Sequence, residues 1–227
     1  MTTVKDIFDH LNNLADVKLA EKWDNVGLML GSNNNEVSRV LVCLDVTTNV
    51  VEEAIAKNVN LIVSHHPLIF KPLKNIDYTT DFKSKIIRNL IKNDISVISF
   101  HTNLDSATLG LNDYLAKILK LNEIQVLFEH SLDNTAGLGR IGKLSKPLKL
   151  SDFITYIKNC FSLETVSAVI GDEKEISTIA LLGGSGADFI YTLPEVDVYL
   201  TGDVGYHAAL DAIEMKKNIM LDISLKI

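Results

Sequence analysis

Val4, Ile7, Phe8, Leu11 and Leu14 recur every three to four positions, so the chain opens with an amphipathic helix. The stretch WDNVGLMLGSNNN then breaks the period. From Arg39, short unbroken apolar runs alternate with helical periods: RVLVCLDVT, NLIVSHHP and ISVISFHTNLD read as strands with their end loops, and VVEEAIAKNV, KSKIIRNLIKND and LNDYLAKILKL as helices. Strands apolar on both faces between amphipathic helices imply βαβ units and a parallel sheet covered on each side. Past Glu123, strands are predicted at NTAGLGRIGKL, ETVSAVIG, ISTIALLGG, DVYLTGD and NIMLDI, and helices at LSDFITYIKNCF, ADFIYTL and YHAALDAIEMKK. The fold class is α/β, with two packed lobes over 1–122 and 123–227, mostly parallel sheets, and no low-complexity linker between them.

Composition narrows the class further. With 47% hydrophobic and 22% charged residues the chain is neither disordered nor fibrous. A net charge of −7 repels a phosphate backbone and gives no nucleic-acid signal. No apolar run reaches the roughly 18 residues of a bilayer span, and the opening MTTVKDIFDHLNNLA carries charges throughout, so the expectation is a cytoplasmic protein. Cys43 lies in an apolar run and Cys160 late in a helix, which suits buried thiols in a reducing compartment.

In open α/β sheets ligands bind beyond the carboxyl ends of the strands. Asp45, the pair His65 and His66, His101 to Asp105, and Asp203 to His207 all follow predicted strands. Neighbouring side chains within a strand point to opposite faces, but Pro67 ends the strand and lets both imidazoles turn to one region. A lone strand-end histidine is usually a satisfied polar group. The adjacent pair, with His101 and Asp105 on a neighbouring strand, favours a metal site for zinc, iron or manganese.

Other motifs compete. GLGRIG, Gly137 to Gly142, matches a dinucleotide fingerprint in letters, yet it lies inside a strand with no helix after it, so a structural role for its glycines is expected. GGSGAD, Gly183 to Asp188, reads either as a tight turn or as an anion cradle. Asp203 and His207 share a helix face, or Asp203 caps that helix. Ser64 and Ser99 precede histidines, but no G-x-S-x-G elbow supports a serine hydrolase.

Taken together, WDNVGLMLG, CLDVT, SHHPLIF, HTNLDSATLGLND, GRIGKL, GGSGADFI and TGDVGYHAALDA resemble the GTP cyclohydrolase I type 2 homologues, the NIF-three-like dinuclear metal proteins. The resemblance implies a ring-shaped homohexamer with two divalent ions per subunit, held by His65, His66 and Asp105, with His101 close by. It implies metal-dependent hydrolysis of a nucleotide-like small molecule, in which His101 or His207 transfers protons. A non-catalytic, ring-forming metal-dependent scaffold or regulatory partner-binding protein is the alternative. Family members continue with a D-x-G-H-x-x-x-E-like segment whose His and Glu complete the metals. Here Ser224 and Leu225 stand where Gly and His are expected and the sequence stops at Ile227, so fewer ions or weaker metal binding are expected than in a longer relative.

Overall fold

The computed structural model describes residues 1–221; the departure at Ser224 and Leu225 and the last two residues of the predicted NIMLDI strand lie outside the described residues. The chain divides into two compact units, Met1–Ala107 and the residues from Thr108 onward. The sequence-based boundary at 122/123 lies further on.

The first unit contains α1 (Val4–Leu14), β1 (Gly27–Leu30), β2 (Val40–Cys43), α2 (Thr48–Ala56), β3 (Leu61–Ser64), α3 (Phe82–Lys92), β4 (Ser96–Ser99) and α4 (Thr102–Ser106). Helix starts follow local chemistry. Thr3 and Asp6 form a reciprocal capping box on α1, the Thr47 hydroxyl accepts from the Val50 amide on α2, and the Asp81 carboxylate accepts from Ser84 on α3. The sheet order is β1-β4-β3-β2, with β2, β3 and β4 parallel and β1 antiparallel to β4. Alternate strand residues feed two cores. Ile62 and Val97 pack with Val51, Ala54, Ile86, Ile87 and Leu90 of α2 and α3, whereas Leu61 and Ile98 pack with Val4 and the apolar stripe of α1.

The second unit contains α5 (Leu111–Ile118), β5 (Asn122–His130), β6 (Asp133–Leu148), α6 (Leu150–Phe161), β7 (Ala168–Val169), β8 (Ile176–Ser185), a 3-10 turn (Ala187–Thr192), β9 (Val198–Asp203), α7 (Tyr206–Glu214) and β10 (Ile219–Met220). Its sheet, β5-β6-β8-β9-β10-β7, is mixed: β8, β9 and β10 run parallel, while the β5/β6, β6/β8 and β10/β7 pairs are antiparallel. Mostly parallel pairing therefore describes the first sheet and not the second, where β5 and β6 form a hairpin. Leu115, Ala116 and Leu119 of α5 pack with Phe153 and Ile157 of α6 on one face, over Ile179, Leu181, Val198 and Leu200. Ala180, Leu182 and Tyr199 serve the other face with Ile190 and Ala212.

The GLGRIG glycines sit inside β6. Gly139 has φ +68°, and a Cβ there would lie 2.7 Å from the Leu181 carbonyl oxygen, so this glycine serves close strand approach. GGSGAD runs from the end of β8 into the 3-10 turn, and there a Cβ on Gly186 would meet the Tyr199 hydroxyl. The Thr201 hydroxyl donates to the Gly184 carbonyl and the Tyr199 hydroxyl to that of Gly186.

Candidate metal centre

Register places the chemistry. Cys43, Ser64 and Ser99 stand side by side at the carboxyl ends of β2, β3 and β4. The residues just beyond them, Asp45, His65, His66 and His101, therefore emerge at one end of the sheet. β1 runs the other way, with Gly27 opposite Ser99, so the segment entering β1 arrives at that same end and brings Asp24 with it.

Both histidines of the pair lie past the last strand residue, Ser64, and their rings sit 5.1 Å apart. The His101 ring is 5.1 Å from His65 and 5.6 Å from His66. One ligand atom from each of the three lies within 4.8 Å of the others, an arrangement that could hold a metal ion.

Each ring is anchored through Nδ1. His65 Nδ1 is 2.9 Å from the Phe100 carbonyl oxygen, His66 Nδ1 is 2.8 Å from Asp45 Oδ1, and His101 Nδ1 is 2.9 Å from Asp24 Oδ1. A carbonyl or carboxylate oxygen accepts, so Nδ1 carries the proton in all three rings and donates. The Nε2 lone pair is left for an ion, which is the partner pattern typical of metal-binding imidazoles. The donor set fits a divalent cation.

Electrostatics agree. Burial, reinforced by neighbouring His101 and His66, lowers the pKa of His65 to about 4, so its ring is neutral near pH 7. Burial works against the Asp24 carboxylate, but bonds from His101 and from the Thr102 amide and hydroxyl outweigh it and lower its pKa to about 2. Asp105, one turn along α4 from His101, is buried and its Oδ1 lies 3.7 Å from His65 Nε2. Burial raises its pKa to about 7, against the pull of His101. A cation bound beside it would favour the ionised carboxylate over the protonated form.

The Duf34/NIF3 (NGG1p interacting factor 3) family description matches residues 2–223. This chain belongs to the DUF34/NIF3 family. Relatives called GTP cyclohydrolase 1 type 2 homolog include one from Clostridium perfringens, 38% identical over 220 residues (96% of this chain, 83% of the relative). Another, from Clostridium acetobutylicum, is 36% identical over 215 residues (93% and 80%). The crystal structure of Staphylococcus aureus protein SA1388 superposes with a TM-score of 0.88 at 31% identity, covering 97% of this chain and 86% of that one.

Within this DUF34/NIF3 chain the structure gathers His65, His66, His101 and Asp105. His207 stands exposed on α7 of the second unit, its ring 5.5 Å from that of Tyr206. Asp203 ends β9, and the N-cap of α7 is Gly205, so Asp203 does not cap that helix. Ser64 donates to the His66 carbonyl and is 2.8 Å from the Ser99 hydroxyl; its bonds are to oxygens, which gives a serine triad no support. Sequence reasoning missed Asp24 as the partner of His101. The signal available was an acid inside WDNVGLMLG, a segment that breaks the helical period. Among the described residues no helix is long and apolar enough to cross a membrane.

Proposed function

We propose that this protein is a metal-dependent hydrolase of a nucleotide-like small molecule, acting in the cytoplasm as a homo-oligomer, the hexamer expected from the family resemblance. What carries this reading is the shared anchoring of three Nδ1 atoms, which leaves Nε2 of each ring as the donor in a cluster whose ligand atoms lie within 4.8 Å of one another. Names support it too, since relatives at 36% and 38% identity are called GTP cyclohydrolase 1 type 2 homologs.

His65, His66 and Asp105 hold divalent zinc, iron or manganese, and His101 adds a further donor. A divalent ion there supplies Lewis acidity and acidifies water toward neutral pH. His65 and His66 are oriented by Phe100 and Asp45. Asp105 contributes charge from the buried side. His101, where its Nε2 is not engaged, is the proton-transfer group: Asp24 holds its Nδ1–H and fixes the ring, so that Nε2 is the atom left to take the proton. His207 is a second proton-transfer candidate, to be tested by replacement with alanine.

The test is formate release from GTP by protein loaded in turn with zinc, manganese and iron(II). Turnover that disappears in His65→Ala supports the hydrolase. Metal bound at the cluster with no turnover under any of the three rejects it and favours the ring-forming scaffold, in keeping with the family's description as an interacting factor.

A further inference from the structure

Two large aromatic side chains stand in solvent beside the histidines. Trp23 is 60% exposed and Phe70 is 39% exposed. Their ring centroids are 6.0 Å apart with planes at 70°, and both rings also meet His101 edge-on, at 6.4 Å and 6.3 Å. Their neighbours in sequence are tied in place. The Asp24 carboxylate, next to Trp23, accepts from His101 and Thr102, and the Asn25 side-chain NH2 donates to the Ile69 carbonyl just before Phe70.

We propose that Trp23 and Phe70 form a stacking wall that takes a flat, purine-like heteroaromatic ring and presents it to His101. The inference rests on the nucleotide-like substrate proposed above and adds which residues hold its base. Exposed aromatic faces favour a partner that removes them from water, and any heteroaromatic base offers a π face to stack on. Rings at 70° make a corner: one is available for face-on stacking while the other closes the edge. Loops already fixed lose little freedom when the ring arrives. Exposed Lys22 and Lys71 adjoin the two aromatics in sequence and bring positive charge suited to a nucleotide's phosphates, in a chain whose net charge is −7.

Trp23 is the sole tryptophan of the chain, so its fluorescence reports the wall directly. Zinc-loaded full-length protein is titrated with GTP and, separately, with inorganic tripolyphosphate, which carries comparable charge and no ring. GTP should quench Trp23 saturably and tripolyphosphate should not. Phe70→Ala should weaken GTP by at least about fivefold, the factor at the low end of the range for stacking on one aromatic, and should leave zinc content unchanged. Equal quenching by tripolyphosphate, no quenching by GTP, or an unchanged GTP affinity in Phe70→Ala would overturn the proposal. A smaller oligomer in Phe70→Ala with GTP affinity retained would also overturn it, and would assign the wall to a second copy of the chain. Zinc content separates the two readings: zinc bound without GTP quenching removes the wall alone, and ring-dependent quenching without zinc removes the metal centre alone.

Discussion

Replacing Asp24 by asparagine tests how the centre is oriented. Three donors converge on the Asp24 carboxylate: His101 Nδ1–H on Oδ1, and the Thr102 amide and hydroxyl on Oδ2. An asparagine has one acceptor oxygen and one NH2. With the oxygen turned to the two Thr102 donors, the NH2 faces His101 Nδ1, which must then present a lone pair. The His101 proton moves to Nε2 and blocks the atom that binds an ion. Losing such an orienting partner costs roughly 10- to 100-fold in metal affinity. That corresponds to about 1.4–2.8 kcal/mol, close to the roughly 1.5–3 kcal/mol of one hydrogen bond to a charged group, so the two estimates agree. Competition with a chromophoric chelator measures the zinc affinity of Asp24→Asn, and imidazole nitrogen NMR of the zinc-free protein reads the tautomer. Unchanged affinity together with a His101 proton still on Nδ1 would refute this reasoning.

Further expectations follow from other contacts. Arg140 is 2% exposed, and its guanidinium is held by both Asp113 oxygens and by the Gly137 and Gly139 carbonyls. Asp113→Ala should therefore cost about 3–5 kcal/mol in urea unfolding while leaving zinc content intact. Burial pushes the Asp113 carboxyl up, but the Arg140 bonds prevail and hold its pKa below 3.8. Its stabilisation is thus full above that pH and fades as pH falls below it, which acid titration of wild type against Asp113→Ala will show. His65 is neutral in the fold down to about 4 against an ordinary 6.5, so the unfolded chain binds the extra proton first. Stability of the metal-free protein should fall as pH drops from 6.5 toward 4, and His65→Gln should flatten that slope. Gly139→Ala should cost at least about 1–3 kcal/mol, because φ is +68° and its Cβ meets the Leu181 carbonyl, and added NAD should not shift the melting temperature of wild type.

The alternation of apolar runs and amphipathic helices was legible because β3 and β4 are covered on both faces and read as continuous apolar stretches. β1 escaped because GLML is four residues long and sits between Asn- and Gly-containing turns. β5 is hard to read because its first half, Asn122 to Gln125, is exposed and polar except for Ile124, as suits an edge strand. α4 has only five residues and no side-chain cap, too little for a helical period to show in the sequence. The mixed sense of the second sheet depends on which strands pair, and periodicity carries no such information. At the centre, His65, His66, His101 and Asp105 were legible as polar residues at strand ends. Asp24 was not, since only the antiparallel pairing of β1 with β4 brings it there.

Zinc content after equilibrium dialysis, read by elemental analysis for wild type, His65→Ala and Asp105→Ala, tests the central claim most directly. Tightly held zinc is expected in wild type and a clear loss in both variants, with far-UV circular dichroism unchanged. Equal zinc in all three folded proteins would contradict it.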